Sequence, residues 1–217
     1  MQKKKKRRFT RARQPEEIEQ RLASILDAAI ALFREKGLEN VTLTDIGLAA
    51  GTAKSNLYRY FESREHIYLV ALQKVAADWE KDVRAELQKL GGQGTVARVS
   101  DIITGSFLRA EQYSTLITVI NTVLEKKLDP KLVAKFRSGF FERRKRFSCD
   151  LATALPGTTA EIWFPLTLHI FTHVAGLWPL CHPSSRSKKM LEEPEFAHLN
   201  LDFKLEMSNF LRILLKR

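Results

Sequence analysis

The sequence predicts an all-α fold in two parts, and three observations carry that reading. Apolar residues recur three and four apart over long stretches, which is the helical period. No alternating pattern bounded by turns recurs, and no internal repeat is found. Glycine and proline are modest, at 10 and 7 of 217 residues, so helices run long between breakers. That length suits one small domain plus a larger one with a sizeable core.

The chain opens on a basic start. Lys3, Lys4, Lys5, Lys6, Arg7, Arg8, Arg11 and Arg13 lie together with no acid among them. The net charge is +11, but without those eight only 28 bases face 25 acids. Residues 1–14 read as a disordered basic arm. Such an arm is a solubilising tail, a strand that follows phosphates or enters a minor groove, or an import signal. No apolar run follows it, so a secretory signal is not expected and the chain should stay in the cytoplasm. Cys149 and Cys181 are too few and too far apart for a disulfide framework or a CxxC pair, which fits a reducing compartment.

The first helix is expected from Pro15, an N1-type proline, to Gly37. Ile18, Leu22, Ile25, Leu26, Ala29, Leu32 and Phe33 give it one apolar stripe. The next segment, residues 42–65, reads TLTDIGLAAGTAKSNLYRYFESRE. Thr42 stands as an N-cap with Asp45 three residues on, a capping box that starts a helix near Leu43. Ile46, Ala49 and Ala50 supply a small apolar face, and Gly51 ends the helix where positive φ is wanted. A second short helix turns Leu57, Tyr60 and Phe61 inward and leaves Ser55, Asn56 and Arg59 outward. Two short helices joined by a glycine turn, with small polar groups and a guanidinium on the open side, are the layout of a DNA-reading helix-turn-helix.

In Thr42, Ala50-Gly51 and Leu57-Tyr58-Arg59-Tyr60-Phe61, followed by Arg64-Glu65, the run resembles the DNA-binding module of the TetR family of transcriptional repressors. The likeness covers roughly residues 18–72, while the rest matches the family only in length and helical texture. It implies a helix-turn-helix domain over residues 15–62 and a helical ligand-binding and dimerisation domain over residues 63–217. It also implies that Thr42, Thr44, Lys54, Ser55, Asn56, Tyr58, Arg59, Tyr60 and Arg64 face double-stranded DNA, with Lys54, Tyr58, Tyr60 and Arg64 on phosphates. Two positions depart from the pattern. Gly47 replaces an alanine, loosening its helix by about 1 kcal/mol. Thr52-Ala53 replaces a valine and hydroxyl pair, leaving Thr52 as the substitute cap.

Beyond Ser63 a long helix carrying Ile67, Val70, Ala71, Val75 and Leu87 should run to the cluster Gly91-Gly92-Gln93-Gly94. No strand precedes that cluster, so it is a linker and not a phosphate cradle. Further helices are expected over residues 96–111, 114–128, 130–155, 159–180 and 202–216, with residues 182–195 as a loop. Residues 162–185 hold no Asp, Glu, Lys or Arg. The run is long enough for a bilayer, but its histidines, threonines and prolines favour a helix buried in a core and against a second copy.

In the resembling family the last two helices form a four-helix bundle between subunits. Phe203, Met207, Phe210, Leu211 and Leu214 make a stripe that fits such a homodimer seam, or packing within one subunit. Tyr113, Trp163, Phe164, Phe171 and Trp178, with His169 and His173, could line a cavity for an apolar or aromatic effector, or be plain core. His169 and His173 stand one turn apart, but no carboxylate accompanies them, so no metal is expected. The run 143–146 reads as a solvated helical face, with a contact to an anionic ligand as the alternative. No catalytic motif is present among GxSxG, HExxH, the P-loop and GxGxxG, so no enzyme and no cofactor are expected. An architectural DNA binder without an effector, and an enzyme whose site assembles only in three dimensions, stay open on these grounds.

Overall fold

A computed structural model describes residues 15–119, 125–183 and 185–216. Among the described residues all regular structure is helical. The chain forms two compact units, one ending at Ile67 and one beginning at Tyr68.

The first unit holds α1 (Pro15–Lys36), α2 (Leu43–Ala49), α3 (Lys54–Leu57) and the first turn of α4 (Arg64–Gln88). Helix α1 stops at Gly37, whose φ of 73° and ψ of 161° are open essentially to glycine and whose N–H donates to the Phe33 carbonyl at 2.8 Å. A single 3-10 turn, Leu38–Asn40, leads to α2. Ile25, Leu26, Ala29, Ile30 and Phe33 of α1 are buried, as are Leu38, Val41, Ile46, Leu57, Phe61 and Ile67. Of the expected α1 stripe, Ile18, Leu22 and Leu32 are only half-buried, and Ile30 joins the core instead.

The second unit holds the rest of α4, then α5 (Val96–Arg109), α6 (Glu111–Ile117), the single turn α7 (Glu125–Lys127), α8 (Pro130–Ala154), α9 (Ala160–Cys181), α10 (Ser185–Leu191) and α11 (Phe203–Leu214). Helices α8 and α9 pack along each other, and α11 lies on α5 and α9. The centre is aromatic. The Trp79 indole of α4 meets Phe107 at 4.8 Å, Phe147 at 5.3 Å, and Tyr113 and Phe171 each at 5.4 Å. Its N–H, which would be costly to bury alone, donates to Ser106 Oγ at 2.9 Å.

Two expectations change here. The helix expected over 114–128 is α6 and α7, with residues 120–124 outside the described ones. The loop expected over 182–195 contains α10, because Lys188, Lys189, Met190 and Leu191 are good helix formers between Pro183 and Pro194. The glycine cluster has a packing role beyond linking. Gly94 N–H donates to the Ala154 carbonyl at 2.9 Å, and a Cβ on Gly94 would stand 2.4 Å from that oxygen.

Opposite outcomes are therefore expected for two alanine substitutions. Gly94→Ala forces this contact apart and should lower stability by about 1–3 kcal/mol. Gly139→Ala, on α8 with nothing within 4 Å of the new methyl, should raise it by about 0.5–1 kcal/mol. Urea midpoints at unchanged slope measure both, and a neutral Gly94→Ala would show that the loop yields freely.

Candidate nucleic-acid interface and ligand cavity

The capping box of α2 forms completely. Asp45 N–H donates to Thr42 Oγ1 at 3.2 Å, while Thr42 N–H and Oγ1 donate to Asp45 Oδ2 at 2.8 and 2.6 Å. The Thr42 hydroxyl bond, then the backbone bond, hold the Asp45 carboxyl below its usual range. After α2 the chain reverses through Gly51, at φ 63°, and Thr52 N–H returns to the Gly47 carbonyl at 2.8 Å. A Cβ on Gly47 would lie 2.9 Å from the Thr52 carbonyl oxygen and 3.7 Å from Leu57 Cδ1. Gly47 is thus a close-approach point between α2 and the turn, not simply a weak place in a helix.

Helix α3 is one turn long. Ala53 caps it without a side-chain bond, and Thr52 serves otherwise than expected: its Oγ1 accepts from Asn56 Nδ2 at 3.4 Å. Leu57 and Phe61 are buried and anchor the turn, whereas Tyr60, the third member of the expected stripe, is half-buried. Lys54, Ser55, Tyr58 and Arg59 are exposed, and Lys54 Nζ sits 6.0 Å from the Tyr58 ring. Thr44 is exposed on α2, as is Thr42, its hydroxyl spent in the cap. Asn56, expected to face outward, is half-buried against Thr52. Arg64 departs furthest. Its Nη1 donates to the carbonyls of Leu38, at 2.8 Å, and Val41, and its Nη2 pairs with Glu65 Oε1 at 2.8 Å. Those carbonyls lie at the turn into α2, outside any α-helix ladder, so the guanidinium satisfies them instead of standing free for a phosphate.

The second unit holds a partly open cavity of about 320 Å³. Leu72 and Ala76 of α4, Tyr113 and Ile117 of α6, Phe136, Phe140 and Arg143 of α8, and Phe171, Thr172 and Gly176 of α9 are among its walls. Of the residues expected to line a cavity, Tyr113 and Phe171 do so. The other five lie elsewhere, each for its own reason. Trp163 is buried with its N–H on Thr158 Oγ1 at 2.8 Å, beside the start of α9. Phe164 packs edge-on against Phe141 at 5.1 Å, with the Arg144 guanidinium 4.5 Å over its ring. His169 is exposed. His173 stacks on Phe210 at 3.8 Å, and burial holds its imidazole below the usual range, against a smaller opposing pull from Glu206. Trp178 donates to Thr115 Oγ1 at 3.1 Å and stacks on His182 at 3.8 Å.

Sequence reasoning missed Phe136 and Phe140 and offered Arg143 only within the run 143–146 as an alternative anionic-ligand contact, although their spacing of four and then three puts all three on one helical face. The run 143–146 is not a uniformly solvated face. Arg143 is largely buried at the cavity, with Nε 3.3 Å from Glu80 Oε2. Arg144 Nη2 donates to the Phe164 carbonyl at 2.8 Å and its Nε to Thr167 Oγ1 at 3.1 Å. Arg146 grips both oxygens of Glu80. Burial opposes the charge on Glu80, yet the Arg146 bonds and the nearby Arg143 and Arg84 outweigh it and hold that carboxyl below its usual range. Burial pushes the Tyr113 phenol far up, so it stays a neutral donor.

The terminal helix also differs from expectation. Phe203, Met207 and Leu211 are buried in their own unit, because the stripe faces α5 and α9, while Phe210 and Leu214 are half-buried. The outward residues of α11 include Leu205, 57% exposed, and Ile213, 76% exposed. Ile162, Leu168 and Leu180 are exposed on α9. Among the described residues no helix is long and apolar enough to cross a membrane, and no group of three or more His, Cys, Asp or Glu could hold a metal ion.

Family comparisons agree along nearly the whole described chain. The family described as "Bacterial regulatory proteins, tetR family" matches residues 25–71, and "Tetracyclin repressor-like, C-terminal domain" matches residues 73–216. The biofilm operon icaADBC HTH-type negative transcriptional regulator IcaR of Staphylococcus aureus is 46% identical over 44 residues, 20% of this chain and 24% of that protein. The HTH-type transcriptional repressor KstR of Mycolicibacterium smegmatis is 32% identical over 100 residues, 46% of this chain and 47% of that protein. The chain thus spans less than half the length of each of these curated relatives. Among solved structures, the fatty acid degradation regulator FadR of Bacillus halodurans aligns at a TM-score of 0.57 and 13% identity, covering 94% of this chain and 97% of that one. A TetR/AcrR family regulator of Thermobifida fusca aligns at 0.54 and 19%, covering 91% and 97%. With an N-terminal unit built as a helix-turn-helix and a family match running through 144 residues of the second, from 73 to 216, this chain belongs to the tetR family of bacterial regulatory proteins.

Proposed function

We propose that this protein is a ligand-responsive transcriptional repressor that binds a palindromic DNA operator as a two-fold dimer in the cytoplasm. One observation carries the reading: α3 is anchored by the buried Leu57 and Phe61 while Lys54, Ser55, Tyr58 and Arg59 stand exposed together. Ser55 and Arg59 are the base-reading candidates, with Lys54 and Tyr58 on phosphates. Thr42, Thr44, Asn56 and Tyr60 support them, and Arg64 positions the turn. The repressing sign is favoured by the names of IcaR and KstR, both negative regulators. The cavity gives an effector somewhere to bind, and α4 links the two sites covalently, since Arg64 ties its first turn to the DNA-reading unit and Leu72 and Ala76 line the cavity. A ligand that favours one setting of that helix weakens operator affinity by its differential binding. A purely architectural role would leave the cavity without a use.

Retardation of DNA from the gene's own neighbourhood tests the reading directly. Arg59→Ala should cost about 1–3 kcal/mol on the operator and relax preference at one base pair; an equal loss on random DNA would take Arg59 out of readout. The basic arm, residues 1–14, lies outside the described residues. Deleting residues 1–13 should weaken binding to every sequence and flatten its salt dependence, since up to eight basic contacts go with them. An unchanged slope would make the arm inert toward DNA.

The dimer seam is assigned to the outward faces of α9 and α11. Ile162, Leu180, Leu205 and Ile213 together expose more apolar surface than a lone subunit suits. Ile162→Glu with Ile213→Glu, both already exposed, should leave the subunit folded, yield monomers in sedimentation, and sharply reduce affinity for half-sites about 34–36 Å apart. A double variant that still sediments as a dimer places the interface elsewhere.

A further inference from the structure

We propose that the cavity in the second unit binds an apolar monocarboxylate, with its carboxylate on Arg143 and the Tyr113 hydroxyl and its hydrocarbon body against Phe136, Phe140 and Phe171. This rests on the reading of that cavity as the effector site and names the chemistry it selects.

The argument begins with charge. Three guanidiniums, Arg84, Arg143 and Arg146, meet two carboxylates, Glu80 and Asp150, and Glu142 also lies within electrostatic reach of Arg146. Arg146 grips both oxygens of Glu80, and Arg84 Nε lies 3.0 and 3.1 Å from the two oxygens of Asp150. Arg143 has the weakest hold, a single 3.3 Å approach to Glu80, and its buried Nε has no hydrogen-bond partner among the described residues. The guanidinium with the least satisfied donors is therefore the one that lines the cavity. A guanidinium bordering an apolar space is stabilised most by an anion that brings its own acceptors. One guanidinium beside one phenol hydroxyl matches a single carboxylate better than a phosphate ester or a dicarboxylate.

The walls set the rest. Three phenylalanine rings, Leu72, Ala76 and Ile117 ask for hydrocarbon. A cavity of 320 Å³ is roughly twice the volume, about 150 Å³, that accepts benzene, and so holds on the order of ten non-hydrogen atoms, the size of octanoate or a small aryl-alkanoate. A cation of that size would meet Arg143 with like charge. A neutral alcohol would displace water from the guanidinium and return too few acceptors. Tyr113, on the same wall and within electrostatic reach of both Arg143 and Glu80, adds a hydroxyl donor.

Calorimetric titration of the full-length protein with octanoate, 1-octanol and octylammonium decides the matter without any variant. Octanoate should bind about tenfold or more tighter than octanol, as expected for one charge-assisted contact, and octylammonium should bind weakest. In Arg143→Gln that preference should collapse, and Arg143→Lys should retain part of it. Octanol binding as tightly as octanoate, no binding of any of the three, or an Arg143→Gln protein that keeps the preference overturns the proposal. Operator DNA separates this failure from that of the effector reading. Octanoate that binds through Arg143 but leaves the DNA complex intact sustains the carboxylate site and sinks ligand response. Octanol that releases DNA where octanoate does not bind sustains ligand response and sinks the carboxylate site.

Discussion

Aromatic rings from α5, α6, α8 and α9 close on the single indole of Trp79, and the second unit is arranged around that meeting point. An indole supplies enough surface to reach four neighbours at once, and ring pairs at these separations add about 0.5–1.5 kcal/mol each beyond simple burial. The arrangement tolerates little substitution, because the N–H must find Ser106 wherever the ring sits. The cavity is what remains beside this cluster. Tyr113 and Phe171 contact Trp79 and also face the cavity, so the rings that hold the helices together form part of the cavity wall. A ligand there touches the packing centre itself, which is how a small molecule can bear on the helices around it.

Charge in this unit is organised just as tightly. Four arginines of α4 and α8 are each given different work: Arg84 bridges to Asp150, Arg146 grips Glu80, Arg144 satisfies the Phe164 carbonyl of the proline-bearing α9, and Arg143 borders the cavity. The Arg144 Nη2 shares that carbonyl with the Thr167 hydroxyl, at 2.8 and 2.7 Å, and its Nε bonds the same hydroxyl, so the guanidinium is held against α9.

What was legible in the sequence was local. Pro15, Gly37, the Thr42 to Asp45 box and Gly51 act within a few residues, and the structure uses each of them as its neighbours imply. The all-α architecture followed from periodicity. What escaped depended on partners distant in sequence. Arg146 and Glu80 are 66 positions apart, so nothing in the run 143–146 distinguishes a cavity guanidinium from a solvated one. Arg64 looked free because its acceptors are backbone carbonyls, which carry no residue-type signal. The α11 stripe was found as a stripe, but a three-and-four period cannot say whether it meets another helix of the same subunit or of a second one. Here Phe203, Met207 and Leu211 meet α5 and α9, and the outward set lies further round the helix.

In the helix-turn-helix the residues that make the shape are almost entirely separate from those that meet the surroundings. Leu57, Phe61, Gly47, Gly51 and Arg64 fix the backbone, and none of them depends on Ser55, Tyr58 or Arg59, whose side chains are exposed. Surface substitutions away from such anchors usually shift stability by no more than about 0.5 kcal/mol. Over evolutionary time a descendant of this chain can therefore change those three residues while leaving its folding untouched. If Ser55 and Arg59 read base edges as proposed, target drift in such a head is limited by what the genome offers it to read, and hardly at all by whether it still folds.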